Sequence, residues 1–307
     1  PGVRDLLDPP LQVLELALSG CRVDVRGDVR SADGPGSARH AAEPSLVTVP
    51  DAVDPRVLDV TRLPVRNPWL AIEVRDEVDS TNAVLVADPQ PWRILVAERQ
   101  SAGRGRLARS WVTTPGQALA VSAVVPPDGM PVGWVPLVAG LAVAEAITAT
   151  SAVGAALKWP NDVLLPGDGD RKVAGVLCEW TPVGVVVGVG INVTQARADL
   201  PLETATSVHA AGGEVTREVL LAAYLERLAA LVAEMHSHPA AVRDRYRARC
   251  ATIGAQVRVE EPQGALHGIA IEVDDEGRLV VSSGNGRRVV SAGDVIHVRR
   301  CDGAGPS

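Results

Sequence analysis

The sequence predicts an α/β (α+β) fold, a mixed sheet with helices, followed by a small β-barrel. Two patterns carry this expectation. Between about Trp69 and Cys250, short apolar strand-like runs alternate with segments of helical periodicity. After Cys250, strand-length runs recur at close spacing with glycine-bearing turns between them. A chain of 307 residues with 46% hydrophobic side chains can bury two such cores. We therefore divide it into an N-terminal extension over 1–66, an α/β domain over 67–250, a β-domain over 251–301 and a tail over 302–307.

In the extension, Leu11 to Leu18 is an apolar stretch of helical length, after which Gly, Pro, Ser and Asp crowd Gly27 to Pro55 and predict loose structure. From Trp69 onward the elements become readable. Leu70 to Val74 alternates as a strand, and Asp79-Ser80-Thr81-Asn82 offers side-chain caps to a short helix ending near Asp88-Pro89. Ile94 to Ala97 and Ala118 to Val125 read as buried strands, and Val135 to Thr150 as an Ala-rich helix with Pro136 in its first turn. Val173 to Glu179 and Val183 to Val189 can pair as a hairpin across Thr181-Pro182. Helices over Arg217 to Met235 and Ala240 to Cys250 complete one sheet with helices on a face. The β-domain is expected from Gln256 to Val259, Leu266 to Ile271, Arg278 to Val281, Arg288 to Ser291 and Val295 to Val298.

Composition narrows the function. Net charge is −7, so any anion must be gathered by a local cluster rather than by the molecule as a whole. Residues 1–66 hold eight Arg against ten Asp plus Glu and no two-helix pattern, which argues against a reader of operator DNA. No run approaches the roughly 18 to 20 apolar residues needed to cross a bilayer, and Arg4, Asp5 and Asp8 interrupt any signal sequence. Cys21, Cys178, Cys250 and Cys301 are scattered without C-x-x-C spacing, as free thiols in a reducing compartment would be. A soluble, cytoplasmic protein is the expectation.

Two segments concentrate the chemistry. Lys158 and Lys172 are the only lysines in a chain that writes every other positive charge as Arg. A compact ammonium suits contact with one oxygen, where a planar guanidinium does not fit. Gln100-Ser101-Ala102-Gly103-Arg104-Gly105-Arg106-Leu107-Ala108-Arg109-Ser110-Trp111 follows a strand with three arginines and two glycines, a loop that can close on phosphate or carboxylate oxygens and that we expect to order on an anion. It is not a Walker loop, because no Gly-Lys-Ser/Thr follows. In Lys158-Trp159-Pro160-Asn161-Asp162, Pro160 holds Trp159 extended at a strand end or turn, where cation, amide and carboxylate can converge on a nucleotide and its magnesium. Weaker signals are set aside. Gly188-Val189-Gly190 lacks the third glycine of a dinucleotide fingerprint, Asp168 and Asp170 lack the later ligands of a calcium loop, and His236 and His238 read as a helix end.

The ordered series Asp79-Ser80-Thr81-Asn82, Q-S-A-G-R-G-R-L-A-R over 100–109, K-W-P-N-D over 158–162, K-V-A-G over 172–175 and G-V-G-I-N-V over 188–193 resembles the biotin protein ligase family. The resemblance implies a class II-synthetase-like catalytic domain, an SH3-like C-terminal domain, and use of ATP and magnesium. It implies adenylation of biotin to biotinyl-5'-AMP and transfer of the acyl group to a lysine of a biotin carboxyl carrier protein. By similarity, Lys172, Arg106 and Asp162 are catalytic. Ser80, Thr81, Asn82, Gln100, Arg104, Gly105, Arg106, Lys172 and Gly175 belong to the biotin site. Arg106, Arg109, Trp111, Lys158, Asn161, Lys172 and Asn192 face the nucleotide, with magnesium near Asp162. The extension lacks the winged helix of the DNA-binding members, and the connection from Arg75 to Ile94 is short for the family. Homodimerisation is left open. A lipoate or octanoate ligase and a non-catalytic biotin sensor are the competing readings. With both lysines assigned to the site, the enzyme would offer few amines to its own reactive intermediate.

Overall fold

The computed structural model describes residues 58–61, 63, 67–261, 264–284, 286–291 and 294–297; the Leu11 to Leu18 segment, most of the extension, Cys21, Cys301 and the tail lie outside them. The α/β part runs β1 (Ile72–Val78), α1 (Thr81–Ala87), β2 (Ile94–Gln100), β3 (Ala118–Val125), α2 (Trp134–Ser151), β4 (Ala156–Lys158), β5 (Asp162–Leu165), β6 (Arg171–Thr181), β7 (Gly184–Asn192), α3 (Arg217–Ser237) and α4 (Pro239–Arg249). Its seven strands lie in the order β1-β2-β3-β7-β6-β5-β4. β1 and β2 are parallel because α1 carries the chain back between them, and every other neighbouring pair is antiparallel.

The period of two along a strand assigns the faces. On β7, Val185, Val187, Val189 and Ile191 join the main core with α2 and α3, while Val186 packs with Leu85 of α1, Leu95 and Val124 on the other side. Helices therefore cover both faces, where the sequence predicted one. The α1 face is the thinner, because a helix of seven residues covers little of it. Lys158 to Asp162, expected as a strand end or turn, is the turn that joins β4 to β5, strands of three and four residues that are too short for alternation to show.

α2 corrects another expectation. It spans 18 residues of mean hydropathy 1.4, enough in length and composition to cross a membrane, but it is a core helix with Leu137, Leu141 and Ile147 buried against its neighbours. A buried ion pair ties the layers together. Arg217, in the first turn of α3, lies 2.7 Å from Glu98 of β2, whose carboxylate also accepts from the Leu58 and Gly116 amides.

The C-terminal part is a five-stranded antiparallel sheet, β8 (Gln256–Glu261), β9 (Gly264–Val273), β10 (Leu279–Ser283), β11 (Gly286–Val290) and β12 (Asp294–His297), in the order β11-β10-β9-β8-β12. Its β9–β10 turn meets the start of α2. Trp134 Nε1 donates to Asp275 O at 2.9 Å and Trp159 Nε1 to Gly277 O at 2.9 Å. The backbones touch there: a Cβ on Gly133 would lie 2.2 Å from Glu276 O, and one on Gly277 (φ 81°) would lie 2.6 Å from the Gly133 carbonyl carbon.

Candidate active site

The α1 face of the sheet carries a polar floor. Ser122, in the otherwise apolar β3, lies 2.7 Å from both Thr81 Oγ1 and Asn82 Oδ1. Gln100 Oε1 accepts from the Thr81 amide and hydroxyl at 2.9 and 3.1 Å, and its Nε2 donates to Thr113 Oγ1 at 3.2 Å. Asn82 Nδ2 donates to Leu177 O at 3.2 Å and to Glu179 Oε2 at 2.8 Å. Asn82 can reach across because Gly188 leaves the space open; a Cβ there would lie 2.0 Å from Asn82 Oδ1. Thus Thr81 and Asn82 serve the floor. The side-chain caps expected at the helix start are not made, since Ser80 holds the N-cap position without a side-chain cap bond.

Above the β6 side of this floor runs the basic loop. Gly105 N donates to Arg109 O at 2.7 Å and Trp111 N to Gly103 O at 2.9 Å, so the loop closes on itself, with Leu107 at φ 56° at its turn. Arg104 pairs with Glu179 at 3.4 Å, and Arg106 Nη1 donates to Asn161 Oδ1 at 3.1 Å. These two partners and the backbone ring define the path of the loop. Asn161 is itself held, its Nδ2 donating to Val176 O at 3.1 Å.

Lys172 Nζ lies 2.6 Å from Asp162 Oδ1 and 5.8 Å from the centre of the Trp111 ring, within cation–π reach. Gly175 and Gly190, opposite one another in the β6–β7 ladder, form a shelf without side chains. The indole rests on it: a Cβ on Gly190 would lie 2.1 Å from Trp111 Cε2, and one on Gly175 would lie 3.0 Å from Lys172 Nζ. Trp111 Nε1 is buried without a hydrogen-bond partner among the described residues, a donor that a ligand oxygen would satisfy.

The loop, the Trp159-Pro160-Asn161 turn, the outer edge of β6 from Val176 to Glu179, the start of α2 and the C-terminal residues Gly277 and Ser291 enclose a cavity of about 780 Å³. That volume suits a small organic ligand. Three arginines on one wall make it a place for anions, and one wall belongs to the C-terminal sheet.

Comparison with known proteins agrees with this arrangement. Residues 75–195 match the biotin/lipoate A/B protein ligase family, and residues 252–298 the biotin protein ligase C-terminal domain. Over 243 residues the chain is 39% identical to the biotin--[acetyl-CoA-carboxylase] ligase of Mycobacterium tuberculosis, covering 75% of this chain and 90% of that protein. It is 33% identical over 237 residues to the protein of the same name from Paracoccus denitrificans, covering 71% of this chain and 97% of that one. The chain belongs to the biotin protein ligase family. Its fold is that of the biotin protein ligase from Aquifex aeolicus solved in complex with biotin and ATP, with a TM-score of 0.67 at 28% identity over 75% of this chain and 100% of that one.

Within this biotin protein ligase fold, the residues singled out in the sequence fall into distinct groups. Arg104, Gly105, Arg106, Arg109 and Asn161 line the cavity. Ser80, Thr81, Asn82 and Gln100 lie in or beside the buried floor, and Lys172, Asp162, Gly175 and Trp111 form the cluster over the glycine shelf. Asn192, expected to face the nucleotide, is buried, with Nδ2 donating to Thr206 O at 2.9 Å and Oδ1 accepting from Gln195 at 3.1 Å. Lys158 is half-buried near β12, where its charge opposes protonation of His297. Cys178 and Cys250 are free thiols, and burial, then the charge of Glu179, pushes the Cys178 thiol up to about 12. Sequence reasoning missed Glu179, Thr113 and Ser122. For Ser122 a signal existed, one hydroxyl in a strand of Ala, Val and Leu.

Proposed function

We propose that this chain is an ATP-dependent ligase that converts biotin to biotinyl-5'-AMP and transfers the biotinyl group to a lysine of a biotin carboxyl carrier protein. The observation that carries the reading is the ammonium of Lys172 set between Asp162 and the Trp111 ring, beside a cavity walled by Arg104, Arg106 and Arg109. In the first step a biotin carboxylate oxygen attacks the α-phosphorus of ATP, the bond to the β-phosphate oxygen breaks, and pyrophosphate leaves. Two anions must approach one another. The three guanidiniums and Lys172 lower that repulsion and stabilise the charge that gathers on the phosphoryl oxygens.

Biotin is read by the floor: the hydroxyls of Thr81 and Ser122 and the amides of Asn82 and Gln100 match the donors and acceptors of a neutral ureido ring. Trp111 offers a face for the adenine. In the second step the carrier amine attacks the acyl carbon and AMP departs. Asp162 takes the proton from that amine, and the basic loop keeps water from the mixed anhydride until the carrier docks. Magnesium bound with ATP would offset phosphate charge; Asp162 is already bonded to Lys172, so a cation held there would share its carboxylate.

The same reading assigns residues 67–250 to the catalytic domain and 251–301 to an SH3-like domain, and places the enzyme in the cytoplasm. The test incubates the full chain with ATP, magnesium and a purified carrier domain, supplying biotin or lipoate, and weighs the carrier. Added mass with biotin alone is expected. Added mass with lipoate alone reverses the substrate, and none with either leaves a biotin sensor.

A further inference from the structure

Lys172 stands where β6 has lost one neighbour. The β6–β7 ladder reaches back only to Ala174, opposite Ile191, so β7 does not pair with Lys172. The segment after β7 takes over that edge. Lys172 N donates to Thr204 O at 2.8 Å, and Thr206 N donates to Lys172 O at 2.8 Å, a short parallel pairing around Ala205. On its other side Lys172 is paired with Leu164 of β5. The backbone of the reactive lysine is therefore held on one flank by a loop.

One carboxylate gathers that loop. Asp168, in the turn between β5 and β6, accepts from Arg197 Nη2 at 2.7 and 2.6 Å through its two oxygens, and from Thr206 Oγ1 at 2.5 Å. Its own turn is tied in the same way: Arg171 Nη1 donates to Asp168 O at 2.8 Å, while Arg171 Nε donates to Glu203 O at 2.9 Å. Arg197 reaches onward to Ala210 O at 3.1 Å. Asp168 does not line the cavity. Its side chain is 15% exposed, which strengthens its charge-assisted bonds relative to a fully solvated pair.

We propose that Asp168 is a positioning residue of the adenylation step, a clasp that through Arg197 and Thr206 holds residues 203–206 along β6 and so fixes where the Lys172 ammonium lies. Asp168 touches no substrate in this account. Its effect on rate passes through the backbone of Lys172, and the proposal rests on the function assigned above.

The test uses Asp168→Ala, Asp168→Asn, Arg197→Ala and the Asp168→Ala/Arg197→Ala pair in the full chain, with two readouts. Amide hydrogen exchange at Lys172 and Thr206 reports the clasp without any catalysis. Both single alanine variants are expected to exchange faster there by about tenfold, the size that accompanies loss of a charge-assisted contact. The double variant should go little further than Asp168→Ala, because the Asp168–Arg197 contact is already lost in each single variant. Pyrophosphate release with biotin, ATP and saturating carrier domain should show kcat lowered by about tenfold in Asp168→Ala with the biotin KM nearly unchanged, as for an interaction that matters in the transition state. Asp168→Asn, which keeps the shape and loses the charge, should fall between. Unchanged exchange at Lys172 overturns the proposal, as does faster exchange with an undiminished kcat, or fully additive effects in the double variant. A wild-type chain that makes no biotinyl-5'-AMP sinks the proposed function instead, and the exchange measurement still decides whether Asp168 holds Lys172.

Discussion

A single hydrogen at position 190 decides where an indole can lie. Because a Cβ on Gly190 would lie 2.1 Å from Trp111 Cε2, Gly190→Ala must push the ring off its shelf. We expect the ATP KM to rise by about tenfold or more, the effect of misplacing a stacking partner, with a changed Trp emission; steady-state kinetics with ATP varied checks this. Lys172→Arg keeps the charge but asks a planar fork to occupy a place 2.6 Å from Asp162 and against Trp111. Adenylation should fall roughly 100-fold, the scale of one preorganised electrostatic partner, as measured by biotin-dependent pyrophosphate release. The sequence singled out both lysines because the composition is so poor in them; Lys172 lies against Asp162 and Trp111, and Lys158 near His297. Gly188 and Gly190 were legible as an incomplete fingerprint and as part of the series over 188–193 but not as room for Asn82 and Trp111, since a glycine records the room it leaves and not the side chain that uses it.

At the scale of elements, the floor depends on β3 turning one hydroxyl toward α1. Ser122→Ala leaves Asn82 Oδ1 and Thr81 Oγ1 without their 2.7 Å neighbour while the strand keeps its packing. The biotin KM should rise by about three- to tenfold, as expected when one hydrogen bond is removed from a buried network, and kcat at saturating biotin should hold. Kinetics with biotin varied and ATP saturating separates the two. The strands of the main sheet and the long helices could be read from their period because each covers several turns or several alternations. β4 and β5 could not, being three and four residues long. The start of α1 misled for another reason: Thr81 and Asn82 have the chemistry of caps, and only the sheet beneath them shows that their polar atoms point elsewhere.

Across the whole molecule the C-terminal sheet finishes the site. Thr252, just before β8, accepts from Trp159 N at 3.0 Å and lies 3.0 Å from His297 Nε2 in β12. A neutral His297 can accept from the Thr252 hydroxyl at this distance. Burial, and then the charge of Lys158, lowers the His297 pKa from its ordinary value. The folded protein therefore binds this proton less readily than the unfolded chain. The stabilisation is complete above the unfolded value of about 6.5 and is lost as pH falls through the lower folded value. Denaturant midpoints measured from pH 7.5 down to 5 should drop for the wild type relative to His297→Gln; parallel curves would contradict the assignment. Nothing in the sequence joined Trp159 to Gly277, because the bond spans two sheets. That bond also sets an order of events during synthesis. The arginines, Lys172 and the polar floor all leave the ribosome before the turn at Asp274 to Gly277 that anchors Trp159, so a nascent chain would hold these groups with Trp159 not yet anchored. Activation would begin only once the last strands have emerged.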